Sequence, residues 1–204
     1  ICGVEPSMRV LDFCAGGGGK TLGIAAAMEN KGNIVAMDID SRRLEKGRKR
    51  YKKAGVHNVE LRGLDDEKNR KWLRRQKGTM DVVLVDAPCS SSGTWRRNPD
   101  LRWNWYGPSL EEIKILQKEI LGRVKDKTKV GGRLVYATCS LLPEENEEQV
   151  ALFLENNSNY KLMPLAEIWP VNRGQLPTES LYLRMFPKDH ETEGFFAATL
   201  QRTS

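Results

Sequence analysis

Two cysteines are the residues whose type and placement suggest chemistry. Cys89 lies in the run Asp-Ala-Pro-Cys, and Cys139 lies in the run Tyr-Ala-Thr-Cys-Ser. Each run follows an apolar stretch typical of a buried parallel strand, and chemistry in an open α/β sheet gathers outside the carboxyl ends of the strands. Either thiol alone would be assigned to core packing. Two at strand ends, one of them behind Asp86-Ala-Pro, predict a nucleophile with a second thiol or a nearby acid that manages protons.

A glycine loop provides the second chemical signal. Residues 12–21 read Asp-Phe-Cys-Ala-Gly-Gly-Gly-Gly-Lys-Thr, after one predicted strand and at the start of a helix. Four consecutive glycines let the backbone approach a ligand closely, and the helix N-terminus favours negative groups. The pattern therefore predicts a nucleotide-like ligand. The candidate binding residues are Cys14, Ala15, Gly16, Gly17, Gly18, Gly19 and Lys20.

The loop departs from two familiar nucleotide-binding patterns. The dinucleotide pattern G-x-G-x-x-G fails, because residues 20–22 occupy the places where its last glycine belongs. The phosphate-loop pattern nearly fits, since residues 19–21 match its end, but Cys14 stands where its first glycine belongs. Asp86 after an apolar strand would serve as the acid that such enzymes use to hold Mg²⁺. A nucleoside-triphosphate hydrolase is therefore the competing hypothesis.

The end of the second predicted strand favours a different ligand. Asp38 stands there, where an acid is placed to hydrogen-bond the ribose hydroxyls of a nucleoside bound across the first two strands. A nucleoside-triphosphate hydrolase has no need of this acid. Asp40, two residues later, better suits a loop or helix-cap role. A loop for an amino-acid tail and an acid for ribose together predict S-adenosylmethionine.

The elements that position these residues alternate regularly between strand and helix. This alternation predicts a mostly parallel sheet with helices on both faces, an α/β fold. Ser41 is predicted to cap the second, strongly basic helix. The predicted strands are residues 9–13, 33–38, 59–63, 80–86, 132–140, 181–186 and 195–201. The predicted helices are residues 21–28, 41–54, 67–75, 110–124 and 144–156, and residues 87–109 are predicted to be irregular.

Composition limits the classes of protein that fit. The 204 residues suit one domain, residues 1–204, and the formal net charge of +6 permits a polyanionic partner. No apolar run is long enough to span a bilayer. The four cysteines lack zinc-type spacing and suit a reducing compartment. We therefore expect a cytoplasmic protein without a metal or a membrane segment, and the initial Ile suggests part of a longer chain.

Four motifs resemble those of the RNA cytosine-5 methyltransferases of the Sun/Nop type. They are D-F-C-A-G-G-G-G-K-T, M-D-I-D, D-A-P-C-S-S-S-G-T-W-R-R-N-P-D and Y-A-T-C-S-L-L-P-E-E-N, and a late H-E-T-E-G-F-F is similar to the closing hairpin of that family. The resemblance covers residues 6–202. It implies a Rossmann-like methyltransferase fold with a C-terminal antiparallel hairpin, S-adenosylmethionine as cofactor, and ribosomal or transfer RNA as partner.

The chain departs from the family pattern in four places. Gly16 and Gly17 replace the usual Ala-Pro, which keeps the role of the loop. The acid that meets the adenosine base falls near Leu64, so Asp65 or its neighbour Asp66 is expected to replace it. Glu193 replaces an Asp. The N-terminal RNA-recognition region of the family is expected to be missing here.

The resemblance also implies a role for each thiol. Cys139 would attack carbon 6 of cytosine, which makes carbon 5 able to take a methyl group. Cys89 would assist loss of the carbon 5 proton and release of the enzyme, while Asp86 would hydrogen-bond the cytosine edge near the methyl end of the cofactor. Ionising an ordinary thiol at pH 7 costs about 2 kcal/mol. The candidate cations for lowering that cost are Lys20, Arg96 and Arg97.

The irregular segment interleaves arginines with aromatic residues, a pattern suited to single-stranded RNA. Arg96, Arg97 and Arg102 are predicted to face RNA, and one or two of the Trp residues to be core. The segment continues through Trp105 and Tyr106. The basic helix is interpreted as a solvated face. A catalytically silent RNA-binding or assembly module is the third hypothesis.

Overall fold

The structure, a computed structural model, describes residues 1–103, 107–170, 174–177 and 180–204. Its strands are β1 Arg9–Phe13, β2 Asn33–Asp38, β3 Val59–Gly63, β4 Met80–Asp86, β5 Thr128–Thr138, β6 Tyr160–Met163, β7 Leu183–Met185 and β8 Phe195–Arg202. Its α-helices are α1 Gly19–Ala27, α2 Ser41–Lys53, α3 Glu67–Arg74, α4 Leu110–Val124, α5 Glu147–Glu155, α6 Leu165–Ile168 and α7 Pro187–His190. Short 3-10 helices cover Ser92–Thr94, Pro99–Trp103 and Pro143–Glu145.

The chain divides into two compact units. The first contains Cys2–Asp86 and Lys125–Leu134, and the second contains Ile1, Ala87–Val124 and Val135–Ser204. Strand β5 contributes its first residues to one unit and its last residues to the other.

In the first unit, parallel strands lie in the order β3-β2-β1-β4. Residue Leu11 of β1 pairs with Val35 of β2 on one side and with Val83 of β4 on the other. All three side chains are fully buried, because parallel strands covered on both faces require continuous apolar runs. Adjacent parallel strands end at the same edge, so the glycine loop, Asp38 and Asp86 follow neighbouring strand ends.

In the second unit, β8 pairs antiparallel with both β6 and β7. Leu162 of β6 lies opposite Leu200, and Arg184 of β7 lies opposite Phe196. The Phe196 ring packs edge-on against Tyr136 at the end of β5, with ring centroids 6.5 Å apart. The predicted α/β fold, mostly parallel with an antiparallel C-terminal hairpin, is confirmed.

Several element boundaries differ from the predictions. Asp40, not Ser41, caps α2: its carboxylate accepts the N–H of Arg42. β5 begins at Thr128, four residues before the predicted start at Gly132, and runs through that glycine. An added Cβ at Gly132 would lie 2.8 Å from the Asp81 carbonyl oxygen. That glycine marks a close backbone approach inside the strand.

The last predicted helix and the C-terminal strands also change. Helix α5 begins at Glu147 because Pro143–Glu145 forms a 3-10 turn and Asn146 leaves the helical conformation, with φ −114° and ψ −97°. β7 is shorter than predicted. Strand β6 was not predicted, since four residues give too short a pattern to recognise.

Candidate active site

The glycine loop, residues 14–19, is held mainly by its own backbone and by β2. The N–H groups of Cys14 and Ala15 both donate to the carbonyl oxygen of Met37, each at 2.9 Å. Gly18 has φ +79°, and an added Cβ would lie 1.9 Å from the Tyr51 hydroxyl oxygen. Only glycine fits there, because both the left-handed conformation and the space exclude a side chain. The loop then leads directly into α1.

Asp38 joins this loop to the end of β2. It is 3% exposed. Its Oδ2 accepts the N–H of Gly16 at 2.8 Å, and its Oδ1 accepts the N–H of Asp40 at 3.0 Å. A carboxylate oxygen has two acceptor sites, so each oxygen keeps capacity for a ligand hydroxyl. The Asp40 carboxylate instead caps α2 by accepting the N–H of Arg42, the role that its sequence position favours.

Lys20 and Asp86 form an ion pair at the end of β4. Their Nζ and Oδ2 atoms are 2.7 Å apart, and both side chains are about one third exposed (38% and 33%). In a phosphate loop the lysine would serve the nucleotide phosphates. Here its Nζ is paired with the Asp86 carboxylate.

Asp12, inside β1, is a residue that the sequence reasoning did not select as a site residue. It is fully buried, and its Oδ2 accepts the Thr21 hydroxyl at 2.6 Å, while Oδ1 has no hydrogen-bond partner among the residues that the structure describes. Burial raises the pKa of Asp12 to about 6, and the nearby Asp86 and Asp38 charges add to this against the Thr21 bond and Lys20. The sequence signal that could have identified Asp12 is a single acidic residue within an otherwise apolar strand.

Cys14 also sits in this charged setting. Burial raises the pKa of its thiol to about 12, and Asp38, Asp12 and Asp86 raise it further, while Arg43 lowers it. The thiol therefore stays protonated at neutral pH. Its left-handed backbone, φ +73°, shapes the loop.

Asp65 and Asp66, after β3, have different tasks in the structure. Asp66 caps α3 by accepting the N–H of Lys68 at 2.8 Å. Asp65 accepts the Ser41 hydroxyl at 2.5 Å. Because the Asp66 carboxylate already satisfies the helix end, Asp65 is the better candidate for a ligand contact, and that role stays a prediction.

Helix α2 contributes two arginines to the loop that were interpreted only as a solvated face. Arg50 donates through Nη1 to the carbonyl oxygen of Gly17 at 2.9 Å. Arg43 lies close enough to Gly16 that an added Cβ there would be 2.9 Å from its Nη2.

This set of groups fits S-adenosylmethionine. The loop gives close backbone approach for an amino-acid tail, and the Asp38 carboxylate suits ribose hydroxyls. The Oδ1 of Asp12 in β1 is a buried acceptor without a partner in the described part of the chain. The predicted cofactor residues therefore lie at one edge of the first unit.

In the second unit, the structure brings the two predicted cysteines together. Their Sγ atoms are 3.3 Å apart, and each thiol is partly exposed. Cys139 Sγ also lies 3.5 Å from the Ser91 hydroxyl oxygen. We call Cys89 and Cys139 the thiol pair. Their catalytic roles stay predictions.

The pKa of Cys89 is raised. The causes are the hydrogen bond with Cys139, burial, the neighbouring thiol charge and Glu145, while the Ser91 backbone N–H opposes them. The cations predicted to help are engaged elsewhere: Lys20 with Asp86, and Arg97 with Glu193 at 3.0 Å. Arg96 is exposed.

The late glycine motif lies against the same loops. Gly93 donates its N–H to the carbonyl oxygen of Cys139, and Gly194 donates to Gly93, both at 2.9 Å. An added Cβ at Gly93 would lie 2.6 Å from the Gly194 carbonyl oxygen. Both motifs therefore need glycine for close backbone contact.

The segment predicted to bind RNA carries an arginine side chain beside two exposed tryptophan rings. The guanidinium of Arg102 lies 5.1 Å from the ring centre of Trp103 and 5.8 Å from that of Trp95. Trp103 is 62% exposed and Trp95 37%, so neither is the predicted core Trp. Trp105 and Tyr106 lie outside the described residues.

Neither a membrane-spanning helix nor a metal-binding cluster is present in residues 1–103, 107–170, 174–177 and 180–204. No helix there has the length and apolar character to cross a bilayer. No group of three or more His, Cys, Asp or Glu side chains there is arranged to hold a metal ion.

Comparisons with known proteins agree with the motifs. The chain is 36% identical over 192 residues to ribosomal RNA small subunit methyltransferase B of Yersinia enterocolitica, covering 94% of the chain and 42% of that relative. It is 36% identical over 197 residues to methyltransferase F of Escherichia coli O1:K1, covering 96% of the chain and 40% of that protein. The chain thus spans about two fifths of the length of these curated relatives.

A solved structure gives the same assignment. NSun6 from Pyrococcus horikoshii with SFG, an S-adenosylmethionine analogue, matches with a TM-score of 0.78 and 32% identity, over 98% of this chain and 49% of that one. A family model described as 16S rRNA methyltransferase RsmB/F matches residues 3–201. The chain therefore belongs to this family of S-adenosylmethionine-dependent methyltransferases.

Proposed function

We propose that this chain is the catalytic domain of an enzyme that methylates carbon 5 of cytosine in RNA through a covalent cysteine adduct. The observation that carries the proposal is the thiol pair, whose sulfur atoms lie 3.3 Å apart in motifs that follow β4 and β5. A single thiol would suffice for attack, and a second beside it suits a reaction in which the adduct must also be broken.

S-adenosylmethionine, when bound, supplies an electrophilic methyl group. The glycine loop and Lys20 would hold its amino-acid tail, Asp38 would bind its ribose hydroxyls, and Asp65 would meet the adenine base. Asp86 is the last residue of β4 and is three residues before Cys89 in the chain. Its ion pair with Lys20 keeps the carboxylate in place to accept a hydrogen bond from the cytosine amino group.

The environment of the thiols supports Cys139 as the nucleophile. A thiol with a raised pKa keeps its proton at neutral pH, so we assign Cys89 as the protonated member of the pair and not as the attacking thiolate. The Cys89 thiol can instead donate its hydrogen to the sulfur of Cys139 and stabilise it as a thiolate. The Cys139 sulfur then bonds to carbon 6, and carbon 5 becomes nucleophilic.

Release is assigned to Cys89. After carbon 5 has gained its methyl group it must lose its proton, and the carbon–sulfur bond to Cys139 must break. We assign to Cys89 the assistance of both events: its thiol proton passes to solvent once Cys139 is bonded to carbon 6, and the Cys89 thiolate then takes the carbon 5 proton. Cys139 then leaves as a thiolate and the pyrimidine double bond is restored.

RNA is the proposed partner, and ribosomal RNA the first candidate. The net charge of +6 favours a polyanion. The exposed Trp103 beside Arg102 suits stacking of an unpaired base. The relatives named above are ribosomal RNA methyltransferases, which favours a cytoplasmic site of action.

The test is product analysis. The chain is incubated with labelled S-adenosylmethionine and either unmodified 16S ribosomal RNA or transfer RNA, and the RNA is digested to nucleosides. We expect label in 5-methylcytidine, and none with a Cys139→Ala variant. Label in another nucleoside would overturn the assigned chemistry. Binding of RNA and cofactor without transfer would favour a silent assembly module.

A further inference from the structure

The motif Pro-Glu-Glu-Asn after the second thiol has no part in the reaction described above. It forms the 3-10 turn Pro143–Glu145 and the start of α5. Glu145 and Asn146 are both fully buried. A buried carboxylate is costly unless hydrogen bonds replace its lost water. The partners of Glu145 therefore indicate what it does.

Glu145 bridges the residues that directly follow the two cysteines. Its Oε1 accepts the Ser90 N–H at 2.8 Å, and its Oε2 accepts the Ser90 hydroxyl at 2.5 Å. The same Oε2 accepts the hydroxyl of Ser140. Ser90 follows Cys89 and Ser140 follows Cys139, so one carboxylate is bonded to both thiol loops.

Neighbouring amides complete the connection. Gln117 of α4 donates through Nε2 to Glu145 Oε1 at 3.1 Å and to the Pro88 carbonyl oxygen at 3.0 Å. Asn146 donates to the Ser140 carbonyl oxygen at 2.9 Å and accepts the Thr138 hydroxyl at 2.6 Å. The backbone before and after each thiol is thereby tied to the same buried network.

We propose that Glu145 is a positioning residue that holds the two thiol loops together, so that the sulfur atoms of Cys89 and Cys139 stay in contact. It acts through Ser90 and Ser140 and needs no contact with substrate. The geometric part of this inference stands by itself. Its catalytic consequence, efficient adduct formation and release, rests on the proposed function.

The negative charge has a second effect. Glu145 contributes to raising the pKa of Cys89. Removing it should therefore make Cys89 easier to ionise.

The rate of disulfide formation between Cys89 and Cys139 reports how well the two sulfur atoms are positioned, and it can be measured without RNA or cofactor. Hydrogen peroxide takes two electrons from the pair: two thiols and one peroxide give one disulfide and two waters. The bond requires the sulfurs to approach about 2.05 Å with suitable Cβ positions. Its rate is followed by mass spectrometry of the peptides that contain Cys89 and Cys139.

The variants separate positioning from general damage. Glu145→Ala should slow the disulfide at least about 10-fold, since the loops lose their common acceptor. Glu145→Gln should stay within about 3-fold, because its amide oxygen accepts from the Ser90 N–H and its amide nitrogen donates to the two serine hydroxyls. Glu148→Ala, which removes an exposed acid of the first turn of α5, three residues after Glu145, is the matched control and should not change the rate.

Methylation activity and folding are measured on the same Glu145 variants as the disulfide rate. Glu145→Ala should lower kcat for RNA methylation with KM for S-adenosylmethionine unchanged, and Glu145→Gln should restore most of kcat. Binding of S-adenosylhomocysteine, by residues of the other unit, checks that the variant is folded. If Glu145→Ala does not fold, Ser140→Ala decides, with an expected loss of about 3-fold in disulfide rate.

The outcomes separate the two proposals. A folded Glu145→Ala protein that forms the disulfide at the unmodified rate overturns the positioning role. A slowed disulfide together with an unmodified protein that methylates no RNA leaves positioning standing and overturns the proposed function instead.

Discussion

The glycine loop and the thiol loops are held by different kinds of bond. Backbone groups fix the glycine loop: Cys14 and Ala15 donate to the Met37 carbonyl oxygen, and one carboxylate, Asp38, joins it to β2. Side-chain hydroxyls, amides and the buried Glu145 fix the thiol loops. The first arrangement needs glycine at fixed positions, whereas the second needs polar side chains that find partners far away in the sequence.

The two regions also differ in charge. Around the glycine loop, the acids Asp12, Asp38 and Asp86 face Lys20 and two arginines of α2. At the thiol pair, burial, the neighbouring thiol and Glu145 all raise the pKa of Cys89. A cofactor that carries both an ammonium and a carboxylate suits the first setting. Thiols that must be activated within a hydrogen-bonded pair suit the second.

The backbone dependence of the glycine loop is tested by Gly18→Ala. We expect a loss of about 3 to 4 kcal/mol in the free energy of unfolding, from the left-handed conformation and the contact with Tyr51. Gly19→Ala is the matched control, because nothing lies within 4 Å of its added Cβ, and it should change stability by no more than about 0.5 kcal/mol. Urea denaturation measures both. Equal effects would show that the loop has no special need for glycine at residue 18.

The buried charge beside the loop is tested by Asp12→Asn across pH. The folded-state pKa of Asp12 is raised from 3.8 to about 6, so the folded protein binds this proton more tightly than the unfolded chain. The stability that it contributes is present at low pH and is lost as pH rises toward 6. The free energy of unfolding of Asp12→Asn relative to the unmodified protein should rise by about 2.4 kcal/mol between about pH 4 and 7.

Asp81 is the control for this pH dependence, because its pKa is shifted in the opposite direction. The pKa of Asp81 is lowered by its bonds to Lys129 and the Arg9 N–H against its partial burial. Its stabilising contribution is present at neutral pH and is lost as pH falls. Asp81→Asn should therefore be less stable than the unmodified protein at neutral pH, and this difference in the free energy of unfolding should shrink as pH falls. A flat difference for Asp12→Asn would contradict a buried charge beneath the loop.

The ligand role of Asp38 is tested against its neighbour Asp40. Asp38→Ala should weaken S-adenosylhomocysteine binding about 10- to 100-fold, since it removes charge-assisted bonds to ribose and to the Gly16 N–H. Asp40→Ala should lower stability through the loss of a helix cap and leave affinity nearly unchanged. Isothermal titration and thermal unfolding separate the effects. Unchanged affinity in Asp38→Ala, or tight Mg²⁺-dependent ATP binding, would contradict the cofactor assignment.

The parts of the molecule that follow local rules were predictable from sequence. The bounds of β1 to β4 agree with the predictions, because continuous apolar runs end at acids or glycines there. Asp38 and the two cysteines were selected because they end such runs. The glycine loop was recognised because few other arrangements require four glycines in succession.

The parts that depend on distant contacts were not predictable. The role of Glu145 rests on bonds to Ser90, 55 residues earlier in the chain. The burial of Asp12 depends on its bond to Thr21 and the packing around β1. Strand β6 exists because it pairs with β8, about forty residues later, through a register that no local pattern contains.

The central claim, two thiols with separate roles, is tested most directly on a denaturing gel. Each variant is incubated with substrate RNA and S-adenosylmethionine, and covalent protein–RNA complexes are separated. Cys139→Ala should transfer no methyl group and form no complex, because the attacking sulfur is gone. Cys89→Ala should attack and methylate, then remain covalently attached to the RNA. A complex formed by Cys139→Ala and not by Cys89→Ala would reverse the roles, and normal turnover in both variants would contradict the thiol mechanism.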